Sequence, residues 1–271
     1  FIGHGDSDKA ASSNPFSKVY TEIWVAGPGG RDRYSKAGVG IHDDDIVEVG
    51  RPQLGGIAPA SGPIGERMTV LYAPTWEGWT GDPAHTSIVR TGPELVRRLL
   101  ARGDIRLVYK PHPLTGTVSL GAAKADATIR SLLARAGAPH ATVAGTAPTL
   151  YECFNDADVL VADISSVLSD FIASEKPYVV TNLTGLSDDA FRSEFPSAGE
   201  AYLLDSGAER LDAILTQIRG DDPLAAARRR LKEYLLGAST PDAMSRFATA
   251  VDAAYDAAVA AIPRRVAAGA G

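Results

Sequence analysis

The stretch Ala157-Asp158-Val159-Leu160-Val161-Ala162-Asp163-Ile164-Ser165-Ser166-Val167-Leu168-Ser169-Asp170 decides the reading of the fold. Its four consecutive apolar residues, Val159 to Ala162, are too few for a helix and apolar on both faces, as in a strand covered on both sides of a parallel sheet. Asp163 ends the run. Ser165 and Ser166 then open a helix predicted over 166–174, because serine suits the amides that a first turn leaves free. A strand that passes into a helix through a short polar turn is a βα step.

Outward from this step the same alternation recurs. Short apolar runs predict strands at 22–26, 45–49, 68–72, 105–109, 141–144, 178–181 and 202–204, and amphipathic stretches predict helices at 93–101, 122–136, 208–218, 224–235 and 242–261. The fold class is therefore α/β. Between 51 and 65 the sequence RPQLGGIAPASGPIG loses all periodicity and reads as an interdomain linker. After it, βα units run in series over 66–238, enough for a doubly wound parallel sheet of Rossmann type. Before it, residues 1–50 supply two strands, too few for an independent domain, and read as the end of a preceding one whose start is missing. Residues 239–262 are a final helix and 263–271 a flexible tail.

Composition narrows the function classes. With 271 residues, 45% hydrophobic and 22% charged, the chain can bury one large core or two modest ones. A net charge of −6 argues against a surface that binds nucleic acid over its whole extent. The single cysteine, Cys153, forms no internal disulfide, and no His/Cys spacing offers a zinc site, so a reducing compartment is expected. No apolar run approaches the roughly 20 residues of a transmembrane helix.

Ligands of open α/β sheets sit beyond the carboxyl ends of the strands, so polar residues there are the candidates. His4-Gly5-Asp6-Ser7-Asp8-Lys9 puts a histidine beside a glycine, in a site or in an ordinary loop. Thr75 and Trp76 leave a strand with a hydroxyl and an indole, able to line a nucleotide cleft or to pack under a loop. In Lys110-Pro111-His112-Pro113 two prolines stiffen the chain around a histidine. Asp163, Ser165 and Ser166 stand where a helix start favours a phosphate, with Ser165 as a simple cap the alternative reading. Asp170, one turn beyond Ser166, can accept from ribose hydroxyls. Lys176-Pro177 reads as structural, His42 and His85 as exposed, and Arg228-Arg229-Arg230 as a solvated face.

In order, HGDSDK, VEVGRPQ, YAPTW, KPHP and ADVLVADISSVLSDFIASEKPYVV resemble the motifs of the CDP-glycerol glycerophosphotransferase family, the polymerases and primases of wall teichoic acid. The resemblance spans roughly residues 3–181, with a further likeness at LLGASTPDAMSRFATAV. It implies a GT-B fold, with residues 1–50 closing an acceptor half, 66–238 forming the donor half and the last helix crossing back. It also implies transfer of a polyol phosphate from a CDP-polyol to a hydroxyl of a teichoic-acid-like or other envelope polymer, lipid-linked or free, with CMP released. On this reading His4 is the base and His112 donates to a phosphoryl oxygen, and Gly5, Thr75, Trp76, Lys110, Asp163, Ser165, Ser166 and Asp170 hold the donor. No cofactor or Mg²⁺ is required by the sequence, and the location implied is cytoplasmic or peripheral on the inner membrane face. The chain departs from the family at Glu77, where an arginine is usual, which places a negative charge near the expected diphosphate. It also departs at Ile164 in place of tyrosine, and at Asp6-Ser7-Asp8 in place of Thr-Pro-Leu. A nucleotide-sugar glycosyltransferase or 2-epimerase of the same fold, and a noncatalytic nucleotide-binding module, are the alternatives.

Overall fold

A computed structural model describes residues 1–3, 7–78, 86–143, 145 and 148–262. The expectations placed on His4, Gly5, Asp6, His85 and the tail 263–271 lie outside these residues.

The first unit is small. Strands β1 (Ile23–Val25) and β2 (Ile46–Glu48) pair in parallel around helix α1 (Pro28–Ala37). Ile23, Val25, Tyr34 and Ile46 form its core. Residues 1–3 extend the sheet: Ile2 bridges Trp24 in parallel, and the Trp24 amide donates to the Phe1 carbonyl at 2.8 Å. Phe1 and Ile2 are 41% and 54% exposed. They dock through their backbone on the sheet edge, and the Phe1 ring meets the Tyr20 ring at 5.2 Å.

The second unit is a six-stranded, wholly parallel sheet. In chain order its elements are β3 (Met68–Ala73), α2 (Gly92–Leu100), β4 (Ile105–Tyr109), α3 (Leu120–Ala136), β5 (Ala141–Thr142), α4 (Leu150–Asp156) and β6 (Val159–Ala162). There follow α5 (Ser166–Phe171), β7 (Tyr178–Thr181), α6 (Asp188–Glu194), β8 (Tyr202–Leu204), α7 (Leu211–Gly220), α8 (Ala225–Leu236) and α9 (Ala243–Ala261). The spatial order β5-β4-β3-β6-β7-β8 reverses direction between β3 and β6. That reversal opens a crevice where open sheets bind ligands.

Strand periodicity sorts the core. Leu71, Ala73, Leu160 and Ala162 face α4, α5 and α8, whereas Val70, Tyr72, Val159 and Val161 face α2, α3 and α7. Both faces are buried, which explains why these strands read as unbroken apolar runs.

The segment between the units is packed rather than loose. Leu54 and Ile57 join the larger core, the Ala58 amide donates to the Asn155 side chain and the Ala60 amide to the Ser174 carbonyl. Helix α9 lies against the first unit, with Phe247 edge-on to Trp24 at 5.5 Å, and the Tyr234 hydroxyl of α8 donates to Asp32 of α1 at 2.7 Å. Arg228 corrects the reading of a solvated charge run. It is 1% exposed, paired with Asp222 and donating to the Glu175 carbonyl, because the first turn of α8 turns it inward. Lys176 is structural as expected, its ammonium donating to the Phe154, Asn155 and Ala157 carbonyls at the end of α4.

Candidate active site

A cavity of about 480 Å³ opens at the switch point. Thr75 and Trp76 reach it from the loop after β3, Lys110 and His112 from the loop after β4, and Ser165 and Ser166 from the start of α5. These six sequence candidates share one site. Thr149 and Leu150 at the start of α4 and Val167 add to the wall, with Ser7 and Lys9 entering from the first unit. The Lys9 ammonium donates to the Thr75 hydroxyl at 3.3 Å, tying the two units at the rim. Ser7, Thr149, Leu150 and Val167 were not singled out from sequence; Thr149 carried a readable signal, since Thr149 and Glu152 form a capping box.

His112 is held from several sides. Its ring stacks on Trp76 with centroids 5.7 Å apart and planes 18° from parallel. Its Nδ1 accepts from the Leu114 amide at 3.1 Å, which leaves the proton of the neutral ring on Nε2. Burial, helped by the Lys9 charge and opposed by Glu77, lowers its pKa below the usual histidine value. The imidazole is therefore neutral at pH 7 and offers one N–H donor.

Ser165 does not act as a simple cap. Its hydroxyl donates to the Asp163 carbonyl at 3.3 Å, and its side chain makes no capping bond to the amides of α5.

Two residues expected at the ligand lie outside the cavity lining, with protein partners. Asp163 is wholly buried and does not line the cavity. Its carboxylate accepts from the Thr75 amide at 2.9 Å, the Ser87 amide at 3.1 Å and the Thr181 hydroxyl at 2.5 Å. It fastens the end of β6 to β7 and to the loop after β3, and burial raises its pKa despite these donors. Asp170 is likewise outside the cavity lining, paired with Arg51 at 2.7 Å and accepting from the Tyr151 hydroxyl at 3.1 Å. Its face of α5 turns toward the core and the linker, where Arg51 supplies the counter-charge.

Glu77 is also engaged elsewhere. Its carboxylate accepts from the Gly116, Val118 and Ser119 amides at 3.1, 3.0 and 3.0 Å, and it does not line the cavity. Burial works to raise its pKa, but the backbone donors outweigh it and hold the carboxyl below the usual range. The expected negative charge beside a diphosphate is thus spent on the loop before α3. No carboxylate lines the cavity among the described residues.

The model of the CDP-glycerol:poly(glycerophosphate) glycerophosphotransferase family matches residues 8–183, a span that holds every cavity residue of the second unit. The chain belongs to this family. Among solved structures it is similar to a variant of the wall teichoic acid polymerase TagF soaked with CDPG, at 12% identity over 93% of this chain and 61% of that one, with a TM-score of 0.57. It is also similar to the UDP-GlcNAc 2-epimerase from Neisseria meningitidis bound to UDP-GlcNAc, at 12% identity over 89% and 62%, with a TM-score of 0.53. At this identity the likeness is one of fold, which is α/β of GT-B type. The chain spans about three-fifths of the length of the solved structures it matches. No curated protein sequence matches it. Among the described residues no helix is long and apolar enough to cross a membrane.

Proposed function

We propose that the chain carries the donor site of a CDP-glycerol glycerophosphotransferase, which moves a polyol phosphate from a CDP-polyol to a hydroxyl of a polyol-phosphate or glycan acceptor. The observation that carries this reading is the lining of the switch-point cavity by Lys9, Lys110, His112, Thr75, Ser165 and Ser166, with no carboxylate among the described residues, in a member of this family. A diphosphate needs such a set of hydrogen-bond donors and cations.

An acceptor hydroxyl attacks the β-phosphorus, a new P–O bond forms, and the bond from that phosphorus to the bridging oxygen breaks so that CMP leaves. The neutral His112 gives its Nε2–H to a phosphoryl oxygen as charge builds, and Lys110 adds its positive charge. Ser165 and Ser166 hold the diphosphate, and Thr75 and Trp76 line the nucleotide. His4 takes the hydroxyl proton, a role that rests on the family resemblance, since it lies outside the described residues.

The test is CMP release from CDP-glycerol by the full-length protein with a polyol-phosphate acceptor. His112→Ala lowers turnover at least about 100-fold while donor affinity changes much less, because the interaction strengthens in the transition state. Turnover near wild type in that variant refutes the role of His112. A rise in melting temperature with UDP-GlcNAc but none with CDP-glycerol refutes the choice of donor.

A further inference from the structure

The loop that carries His112 runs on through residues 113–119 to the start of α3, and it is gripped at two places by consecutive residues of the loop after β3. Trp76 stacks on the His112 ring. Glu77 takes three amide donors of one turn, from Gly116, Val118 and Ser119, on a single carboxylate. A carboxylate that accepts several backbone N–H groups is a strong anchor, because charge-assisted bonds are about twice as strong as neutral ones. Between the two grips the Leu114 amide donates to His112 Nδ1. The position of that amide follows the loop, so whatever holds the loop also holds the ring's tautomer.

We propose that Glu77 is a positioning residue for His112: by clamping the 116–119 turn it holds the Leu114 amide against Nδ1 and thereby keeps the proton on Nε2, the atom left for the donor's phosphoryl oxygen. The inference rests on the reading of His112 given above. Glu77 does not line the cavity. It acts through the loop alone.

The charged groups that face His112 are Lys9, from the first unit, and Glu77; Lys110, on the histidine's own loop, shares the cavity. Lys9 favours the neutral ring and Glu77 the protonated one, so the sign of the electrostatic effect is fixed. Removing the Glu77 charge lowers the titration midpoint of His112. Any loss of activity near pH 7 in such a variant therefore does not come from a ring that has become charged.

The experiment uses Glu77→Ala and Glu77→Gln in the full-length protein, with ¹⁵N chemical shifts of the His112 ring followed across pH alongside kcat and KM for CDP-glycerol. In Glu77→Ala the neutral ring populates both tautomers, the midpoint falls, and kcat drops roughly 10- to 100-fold while KM changes less than about threefold, as expected when a donor is slightly misplaced. Glu77→Gln keeps one acceptor oxygen and recovers part of kcat. An unchanged tautomer in Glu77→Ala overturns the proposal, whatever the midpoint does, since the midpoint moves with the charge alone. If the tautomer shifts in Glu77→Ala while His112→Ala retains full turnover, the positioning contact stands and the catalytic reading of His112 falls.

Discussion

Replacing Asp170 with alanine is expected to weaken the fold rather than the grip on the donor. Asp170 and Arg51 form a salt bridge at 2.7 Å with side-chain exposures of 10% and 8%, so water screens the pair very little. Removing the carboxylate leaves a guanidinium buried without its counter-charge, a change that costs about 3–5 kcal/mol. For a protein of this size each kcal/mol is worth about 2–4 °C, so the melting temperature should fall by roughly 6–20 °C. Replacing both partners with apolar residues, Arg51→Met with Asp170→Leu, should recover most of the loss, since a buried pair exchanged for well-packed apolar groups is often neutral.

The assay is urea unfolding of the wild type, both single variants and the double variant, with calorimetric titration of CDP-glycerol where each is folded. The expected result is a large stability change and a donor affinity within about threefold of wild type, roughly 0.7 kcal/mol. Wild-type stability combined with weakened donor binding in Asp170→Ala would refute the reasoning. The carboxylate would then bind ribose, as its place one turn beyond Ser166 first suggests.

Ser166→Ala should weaken CDP-glycerol binding by about 1–3 kcal/mol without moving the unfolding midpoint, and unchanged affinity by calorimetry would remove Ser166 from the site. Asp222→Asn should destabilise the protein at neutral pH by about 3–5 kcal/mol, because Arg228, 1% exposed, loses its partner. Burial raises the Asp222 pKa, but the Arg228 bond and charge outweigh it and hold the carboxyl below its ordinary 3.8. The stabilisation is therefore complete above that value and lost as pH falls through the lower folded value, so the two proteins should converge in acid unfolding curves; a difference independent of pH down to acid denaturation would contradict this.

The sheet was legible because each strand is short, apolar and covered on both faces. All eight strands lie within the stretches read from the pattern, except that β3 runs one residue further, to Ala73, and β5 stops at Thr142. The helices that escaped had physical reasons to do so. Helix α1 begins Pro28-Gly29-Gly30, a sequence that reads as a turn. Its glycines answer a packing demand. A Cβ on Gly30 would lie 2.7 Å from the Val25 Cβ, and one on Gly27 only 2.4 Å from the Gly237 amide nitrogen, so β1, α1 and the end of α8 meet too closely for side chains. Helices α4 and α6 have seven residues each, too few to show a 3.6-residue period, though Thr149 with Glu152 and Ser187 with Asp188 and Asp189 mark their starts.

The site was legible to the extent that position in an α/β sheet implies direction. Residues just past a strand's carboxyl end stand over the crevice, and Thr75, Trp76, Lys110, His112, Ser165 and Ser166 line it. The carboxylates were less legible, because spacing along a chain does not reveal which donors will converge on a side chain from elsewhere. Asp163 meets amides 76 and 88 positions away, Asp170 meets an arginine 119 positions away, and Glu77 meets amides 39 to 42 positions on. Each of the three is absorbed by N–H groups that would otherwise be under-satisfied, and each thereby fixes a segment bordering the cavity. Asp163 holds the loop after β3, Asp170 holds α5 to the linker, and Glu77 holds the turn that follows His112. These three carboxylates are thus engaged outside the lining, and the wall holds only donors, cations and apolar surface among the described residues. An anionic ligand meets no like charge from these three acids, although the protein carries a net charge of −6.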